Sequence, residues 1–249
     1  MTKMDDSMIQ TWFAKTIPNF IKELESCISN TRNLTTQSNP VTLAISSQNS
    51  SKLKGFVTLS NTCITKGLTF KSSNYNRGNP VKFVLDSTKA IDMTQLKMVH
   101  DCLSMALTIA SRLDPMVIHS IVDSLSHITL LAQQALISLS DQDPLSIFPI
   151  SHFPHLTNAP PDCAVDFGIQ DINLIVTITC FVPPDSNPLE QALSTLKQSN
   201  TVRYQGKDVS ILDKVIVETC FPTLVKIKQG LGTISALCED FINKYNVMH

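Results

Sequence analysis

The sequence predicts an α+β fold: an elongated, zipper-like four-helix bundle formed by N-terminal, two central and C-terminal helices, joined to a discontinuous antiparallel β domain. Three observations predict it. Apolar residues recur at steps of three and four in four separate segments, as one buried helical face requires. The period falls to two in the intervening segments, which carry β-branched residues divided by Gly, Asn and Ser. Five prolines between Pro144 and Pro161 exclude regular structure there and mark a crossing loop. The helical domain is therefore assigned residues 1–30, 92–142 and 212–249, the β domain 31–91 and 155–211, and the Pro-rich loop 143–162.

Taken in order, Phe13, Ile17, Phe20, Leu24 and Cys27 form the seam of a first helix, with Pro18 placed to bend it. After a polar stretch from Ser29 to Pro40, short strand-type runs divided by Gly, Asn and Ser are expected at Val41, Leu43 and Ile45, at Leu53, at Phe56, Val57 and Leu59, at Ile64, at Leu68 and Phe70, and at Val81, Phe83 and Leu85. A second helix is expected to start at Asp92, whose carboxylate can cap free backbone N–H groups while Gln95 completes a capping box. Its seam is Leu96, Val99, Leu103, Ala106, Ala110 and Leu113. Asp114-Pro115 reads as a restart, since proline at the first helical position lacks only a donor that has no partner anyway. A third helix follows with the seam Ile118, Ile121, Leu125, Ile128, Ala132, Ala135 and Leu139, a heptad stripe without interior Gly or Pro.

Strand character returns at Ala164 to Ile169 and Ile172 to Val182, joined by a short link at Gln170-Asp171 that suggests a hairpin. A short helix at Leu189 to Lys197 and a second hairpin around Gln205 to Asp208 are expected next. The last element is read as a helix from Asp213 to Tyr245 with the seam Leu224, Ile227, Leu231, Ile234, Cys238, Phe241 and Tyr245, kinked near Pro222.

The chain has 249 residues, 43% of them hydrophobic and 16% charged, with a net charge of -1. A globular protein of this size buries roughly 70 to 75% of its unfolded surface and needs no disulfide staples. The near-zero net charge argues against general nucleic-acid binding, which needs a surplus of Lys and Arg to neutralise phosphates. The charge is segregated, however. Residues 26–85 contain no Asp or Glu but include Arg32, Lys52, Lys54, Lys66, Lys71, Arg77 and Lys82, whereas residues 113–196 contain no Lys or Arg against seven Asp in the run from Asp114 to Asp171, then Asp185 and Glu190. Such blocks either pack on one another or face different partners. The seven cysteines show no Cys-x-x-Cys spacing and fit reduced core thiols in a cytosolic protein. No apolar run approaches the ~20 residues that span a bilayer, and no signal-type segment opens the chain, so it is expected to be neither secreted nor inserted.

Candidate chemistry is sparse. Lys71, Tyr75, Asn76, Arg77, Gly78 and Pro80 suit a recognition loop: a planar fork of donors, an aromatic anchor and a fixed turn. They equally suit a turn whose Ser and Asn side chains satisfy its own backbone. His119, Asp123 and His127 would form one row on a helix, as metal ligands do, but they lie off the apolar seam among Ser120, Ser126 and Gln134, which reads as a solvated face. His152 and His155 are weaker candidates. There is no Gly-x-Ser-x-Gly elbow and no Gly-rich phosphate loop among only seven glycines, so no catalytic site, metal or cofactor is expected. The heptad seams close on one another or leave one free to pair with a partner helix.

The stretch from Leu68 to Leu85, with Lys71-Ser72-Ser73, Asn76-Arg77-Gly78, Pro80 and Phe83-Val84-Leu85, resembles the most distinctive segment of the Rogdi family. Two further stretches are similar in order and spacing: Pro161-Asp162 with the paired strands to Val182, and Val202 to Tyr245 with Cys220, Pro222, Leu237-Cys238 and Lys244. With the paired middle helices, the resemblance covers most of the chain from Leu68 onward. It implies a zipper-like helical bundle joined to a β domain, and membership of RAVE-type complexes that reassemble the vacuolar proton pump, the V-ATPase. A large β-propeller scaffold subunit is then the expected partner, with V-ATPase catalytic-sector subunits and a Skp-type adaptor as further partners. The chain alone is expected to be monomeric, cytoplasmic and peripherally recruited to vacuolar and endosomal membranes, with a nuclear pool.

Overall fold

The computed structural model describes residues 6–36, 40–46, 52–60, 63–85, 91–115, 117–140, 156–157, 160, 162–182, 201–204 and 207–248. It divides into two compact units, one made of residues 1–37, 94–140 and 222–249 and the other of 38–93 and 141–221.

The first unit holds the four helices found among the described residues: α1 (Asp6–Thr35), α2 (Thr94–Ala110), α3 (Ile118–Ser140) and α4 (Pro222–Met248). α2 packs on α3, α3 on α4, and α1 on both α4 and α2. Of the residues assigned to the seams, Leu96, Val99, Leu103, Ile121, Leu125, Ile128, Leu139, Leu224, Ile227, Leu231, Ile234 and Phe241 are all buried. Burying such side chains is worth roughly 1.5 to 3 kcal/mol each relative to exposure. α1 departs from the expected seam after Leu24: its buried positions continue as Ile28, Thr31 and Thr35, leaving Cys27 half-buried. The helix also runs eight residues past Cys27, through the stretch expected to be loop. Phe13's side chain lies outside the described residues, and Phe20 stacks on Phe241 with ring centroids 4.5 Å apart.

The second unit holds two antiparallel sheets. One has the order β1 (Val41–Ser46), β2 (Leu53–Ser60), β3 (Cys63–Phe70), β4 (Val81–Leu85) and β6 (Leu156–Thr157), with β5 (Ile91–Asp92) pairing β3. The other has the order β7 (Cys163–Gln170), β8 (Asn173–Phe181), β10 (Lys207–Cys220) and β9 (Thr201–Tyr204). β1 alternates as the sequence pattern requires, with Leu43 and Ile45 buried and Thr42 and Ala44 exposed or nearly so. The core beside it is Leu53, Val57, Leu59, Leu68, Phe70, Val81 and Phe83. β8 is central in its sheet and is buried at nearly every position, so its two faces are both covered. The β7–β8 hairpin pairs Gln170 with Asn173 across a two-residue turn, where Asp171 takes a left-handed φ of 60°.

The structure corrects the expected architecture. The α+β class holds, but the helices are not a contiguous four-helix bundle: strands separate α1 from α2 and α3 from α4 along the chain, and the β segments form two antiparallel sheets within the second unit. The element boundaries show why. Residues 213–220 are strand, not the opening of the last helix, and they lie antiparallel to β8 from Asp213↔Cys180 to Cys220↔Asn173. Pro222 then starts α4 instead of kinking it, at the one place where a missing N–H costs nothing. Asp92 pairs with Cys63 in β5 and does not begin a helix; α2 starts at Thr94. The segment expected as a short helix, Leu189 to Lys197, and the Gln205-Gly206 turn lie outside the described residues, although β9 and β10 pair on either side of that turn, Tyr204 with Lys207.

Candidate interaction site

The loop singled out by sequence, Lys71 to Pro80, joins β3 to β4, whose ends pair as Phe70↔Val81. A chain that must leave one strand and enter its antiparallel neighbour can do so over ten residues only by folding back on itself. The backbone does this through Tyr75 N–H to the Ser72 carbonyl at 3.4 Å, Gly78 N–H to the Tyr75 carbonyl at 3.0 Å and Asn79 N–H to the Asn76 carbonyl at 3.0 Å. The Ser72 hydroxyl accepts a further bond from Asn74 N–H at 3.2 Å.

Three successive residues are left-handed: Asn76 with φ 48°, Arg77 with φ 53° and Gly78 with φ 77°. Glycine and asparagine adopt this conformation readily, but at arginine it costs roughly 1 to 2 kcal/mol. The surrounding structure holds the strain from below. Tyr75 is buried, its ring lies 6.3 Å from that of Phe70, and its hydroxyl donates to Asp162 Oδ1 at 2.7 Å. Ser72 is also buried and donates to Asp213 Oδ2, while Lys52 Nζ reaches the same carboxylate at 3.2 Å. Lys71 N–H donates to the Lys52 carbonyl at 2.7 Å. Burial, the bond to Asp162 and the Cys163 thiol beside it all push the Tyr75 hydroxyl well above the ordinary tyrosine range, so it stays a donor at any physiological pH.

The consequence is a loop fixed at Ser72 and Tyr75 that presents Lys71, Asn76, Arg77 and Pro80 to solvent, with Gly78 half-exposed. Of the six residues expected at a recognition loop, five are thus surface groups and Tyr75 is the internal anchor. Sequence reading missed the supporting residues Ser72, Asp162, Asp213 and Lys52. Ser72 and Asp162 fall in motifs the sequence offered, whereas nothing local to Asp213 pointed to its role. It lies next to a bulge in β10, where the register against β8 shifts between Ile211 and Asp213.

The other candidates receive less support. Asp123 and His127 are exposed on α3, the His119 side chain lies outside the described residues, and no group of three or more His, Cys, Asp or Glu that could hold a metal occurs among the described residues. His152 and His155 lie outside the described residues. No described helix is long and apolar enough to cross a membrane.

Comparison with curated proteins gives no match. The family model for the Rogdi leucine zipper containing protein matches residues 8–246, and with nearly the whole sequence covered the chain belongs to the Rogdi family.

Proposed function

We propose that this protein is a non-catalytic interaction subunit of a RAVE-type complex that promotes assembly of the vacuolar proton pump. In this reading the Lys71 to Pro80 loop docks a large β-propeller scaffold subunit. The observation that carries it is the anchored loop: buried Tyr75 and Ser72 hold Arg77 in a left-handed turn with its guanidinium exposed, and strained backbone supported from below is characteristic of recognition sites. Membership of the Rogdi family supports the choice of complex. Affinity purification from the native cell with crosslinking mass spectrometry is the test. The scaffold should be recovered with crosslinks to Lys71, and the Arg77→Ala chain should fold normally yet retain the scaffold at least tenfold less well. Undiminished recovery with Arg77→Ala removes the loop from the interface.

A second reading, a self-associating adaptor unrelated to the pump, rests on a different observation. Met98 and Met105 on α2, and Leu130 and Ile137 on α3, are spaced seven residues apart and each is at least 43% exposed. An apolar row at that spacing suits a helix partner. A concentration-dependent dimer in sedimentation, without the scaffold in pull-downs, would favour it.

A further inference from the structure

We propose that Cys163 and Cys180 form an oxidation site that closes to an intrachain disulfide across the β7–β8 hairpin. The two thiols are 17 residues apart in sequence, yet their sulfurs lie 2.9 Å apart. Cys163 pairs with Cys180 at the open end of the hairpin, opposite the turn at Asp171. In the same register the next pair outward is hydrogen-bonded, with Phe181 N–H donating to the Asp162 carbonyl at 2.8 Å. Antiparallel pairs alternate, so Cys163 and Cys180 occupy the non-hydrogen-bonded position, whose Cα atoms are about 4.5 Å apart in such ladders. That falls inside the roughly 4.4 to 6.8 Å range of disulfides, so the bond can form without moving either strand. Agreeing with this, Cys163 N–H donates to the Pro160 carbonyl instead of to Cys180.

Both side chains are buried, at 3% and 0% exposure, and the mutual contact, burial and nearby carboxylates hold the Cys180 thiol protonated. The pair is therefore inert while β7 stays docked. β7 is an edge strand, and Cys163 is its first residue, so fraying of that end admits water and a small oxidant. With hydrogen peroxide as the oxidant, one thiolate attacks a peroxide oxygen, the O–O bond breaks and a sulfenic acid and one water result. The second thiol then attacks the sulfenic sulfur and expels the second water. In balance, two S–H groups and one peroxide give one S–S bond and two waters.

The test uses the full chain, reduced, then treated with hydrogen peroxide and alkylated after denaturation. The expected product is lighter by two hydrogen atoms, with Cys163 and Cys180 linked and protected, and dithiothreitol restores both thiols. Mapping needs a protease that cuts after aromatic residues such as Phe167, because residues 113–196 contain no Lys or Arg. Closing this loop should raise the melting midpoint by roughly 5 to 10 °C. The same link should form in Cys220→Ser, which removes a cysteine that is exposed. Alkylation of both Cys163 and Cys180 after oxidation, or a link that involves another cysteine, overturns the proposal. The bond would also fix Asp162 and so the Tyr75 anchor; that consequence rests on the loop reading above, whereas mapping and melting do not, so the two ideas fail separately.

Discussion

The two units satisfy most of their polar groups in different ways. In the helical unit most of the hydroxyls bond locally, to the backbone one turn back, as Thr31 does to Cys27, Thr108 to Ser104, Thr129 to Leu125 and Thr233 to Gln229, all at 2.8 to 3.0 Å, while two bonds join helices, Thr35 with His100 and Gln95 to the Ser138 carbonyl, both at 2.9 Å. In the sheet unit the bonds that shape the recognition loop join residues far apart in sequence, with Ser72 and Asp213 separated by 141 positions and Tyr75 and Asp162 by 87. Local bonds leave a helix's position to apolar packing, whereas distant ones fix a specific loop conformation at the cost of burying carboxylates that need every partner they have. Substitutions of the locally bonded hydroxyls should therefore be nearly silent in the first unit, and those of the long-range partners severe in the second.

The largest expected effect tests that difference with matched ion pairs. Asp213 is 11% exposed at its side chain and serves both Lys52 and buried Ser72, whereas Asp240 pairs with Lys244 on α4 with both side chains more than half exposed. Asp213→Ala leaves the buried Ser72 O–H without its acceptor and Lys52 without its carboxylate, and should cost about 2 to 3 kcal/mol in urea unfolding. Asp240→Ala should cost less than about 0.5 kcal/mol. Equal effects would erase the proposed contrast.

The same contrast explains what could be read from sequence. The helical seams were legible because period and burial are properties of consecutive residues: Ile121, Leu125 and Ile128 need no distant information to be identified as one face. The failures cluster where a long-range pairing decides. In Asp213 to Cys220, Val215 and Val217 are buried while Lys214, Ile216 and Glu218 are exposed, which is a strand alternation. That short run was absorbed into the strong helical period that begins at Pro222, and only pairing with β8 separates the two. Asp92 failed likewise, because its capping pattern is local but its partner, Cys63, is not. The Lys71 to Pro80 loop was legible as a turn with exposed Arg77, but which residues anchor it was not, because both come from distant parts of the chain, Asp162 just before β7 and Asp213 within β10.

A second test uses pH and sits wholly in the sheet unit. Burial raises the Asp166 carboxyl from 3.8 to about 6, against the opposing pull of Phe167 N–H and Lys214. The folded chain then holds a proton there between about pH 4 and pH 6 that the unfolded chain has released, so this group's contribution to stability is greatest below pH 4 and is lost as pH rises through 6. Asp166→Asn keeps the acceptor for Phe167 N–H, which Asp166 Oδ1 binds at 2.9 Å, and removes the charge. At pH 7 the variant should be more stable than the parent by about 2 kcal/mol, with about 3 kcal/mol as the upper bound for such a shift, and the two should converge near pH 4. Parallel stability curves from pH 4 to 7 would show that the carboxylate is solvated in the folded chain.

The smallest effect tests whether side-chain packing sets how closely α1 and α4 approach. At Gly230 of α4 an added Cβ would run into the Thr31 side chain of α1, at 3.0 Å from its Cβ and closer still to its Oγ1 and Cγ2. Thr31 is buried and its hydroxyl already bonds the Cys27 carbonyl, so it has little room to turn away. Gly230→Ala gains up to about 1 kcal/mol of helix propensity but must spread the two helices, for a net loss of about 1 kcal/mol. Adding Thr31→Ala removes the obstructing atoms, and the double variant should recover the loss and melt at or above the parent. Gly232, two residues on, has nothing within 4 Å of the same position, so Gly232→Ala should simply stabilise α4. If the two glycines respond alike, the contact with Thr31 does not set how closely α1 and α4 approach.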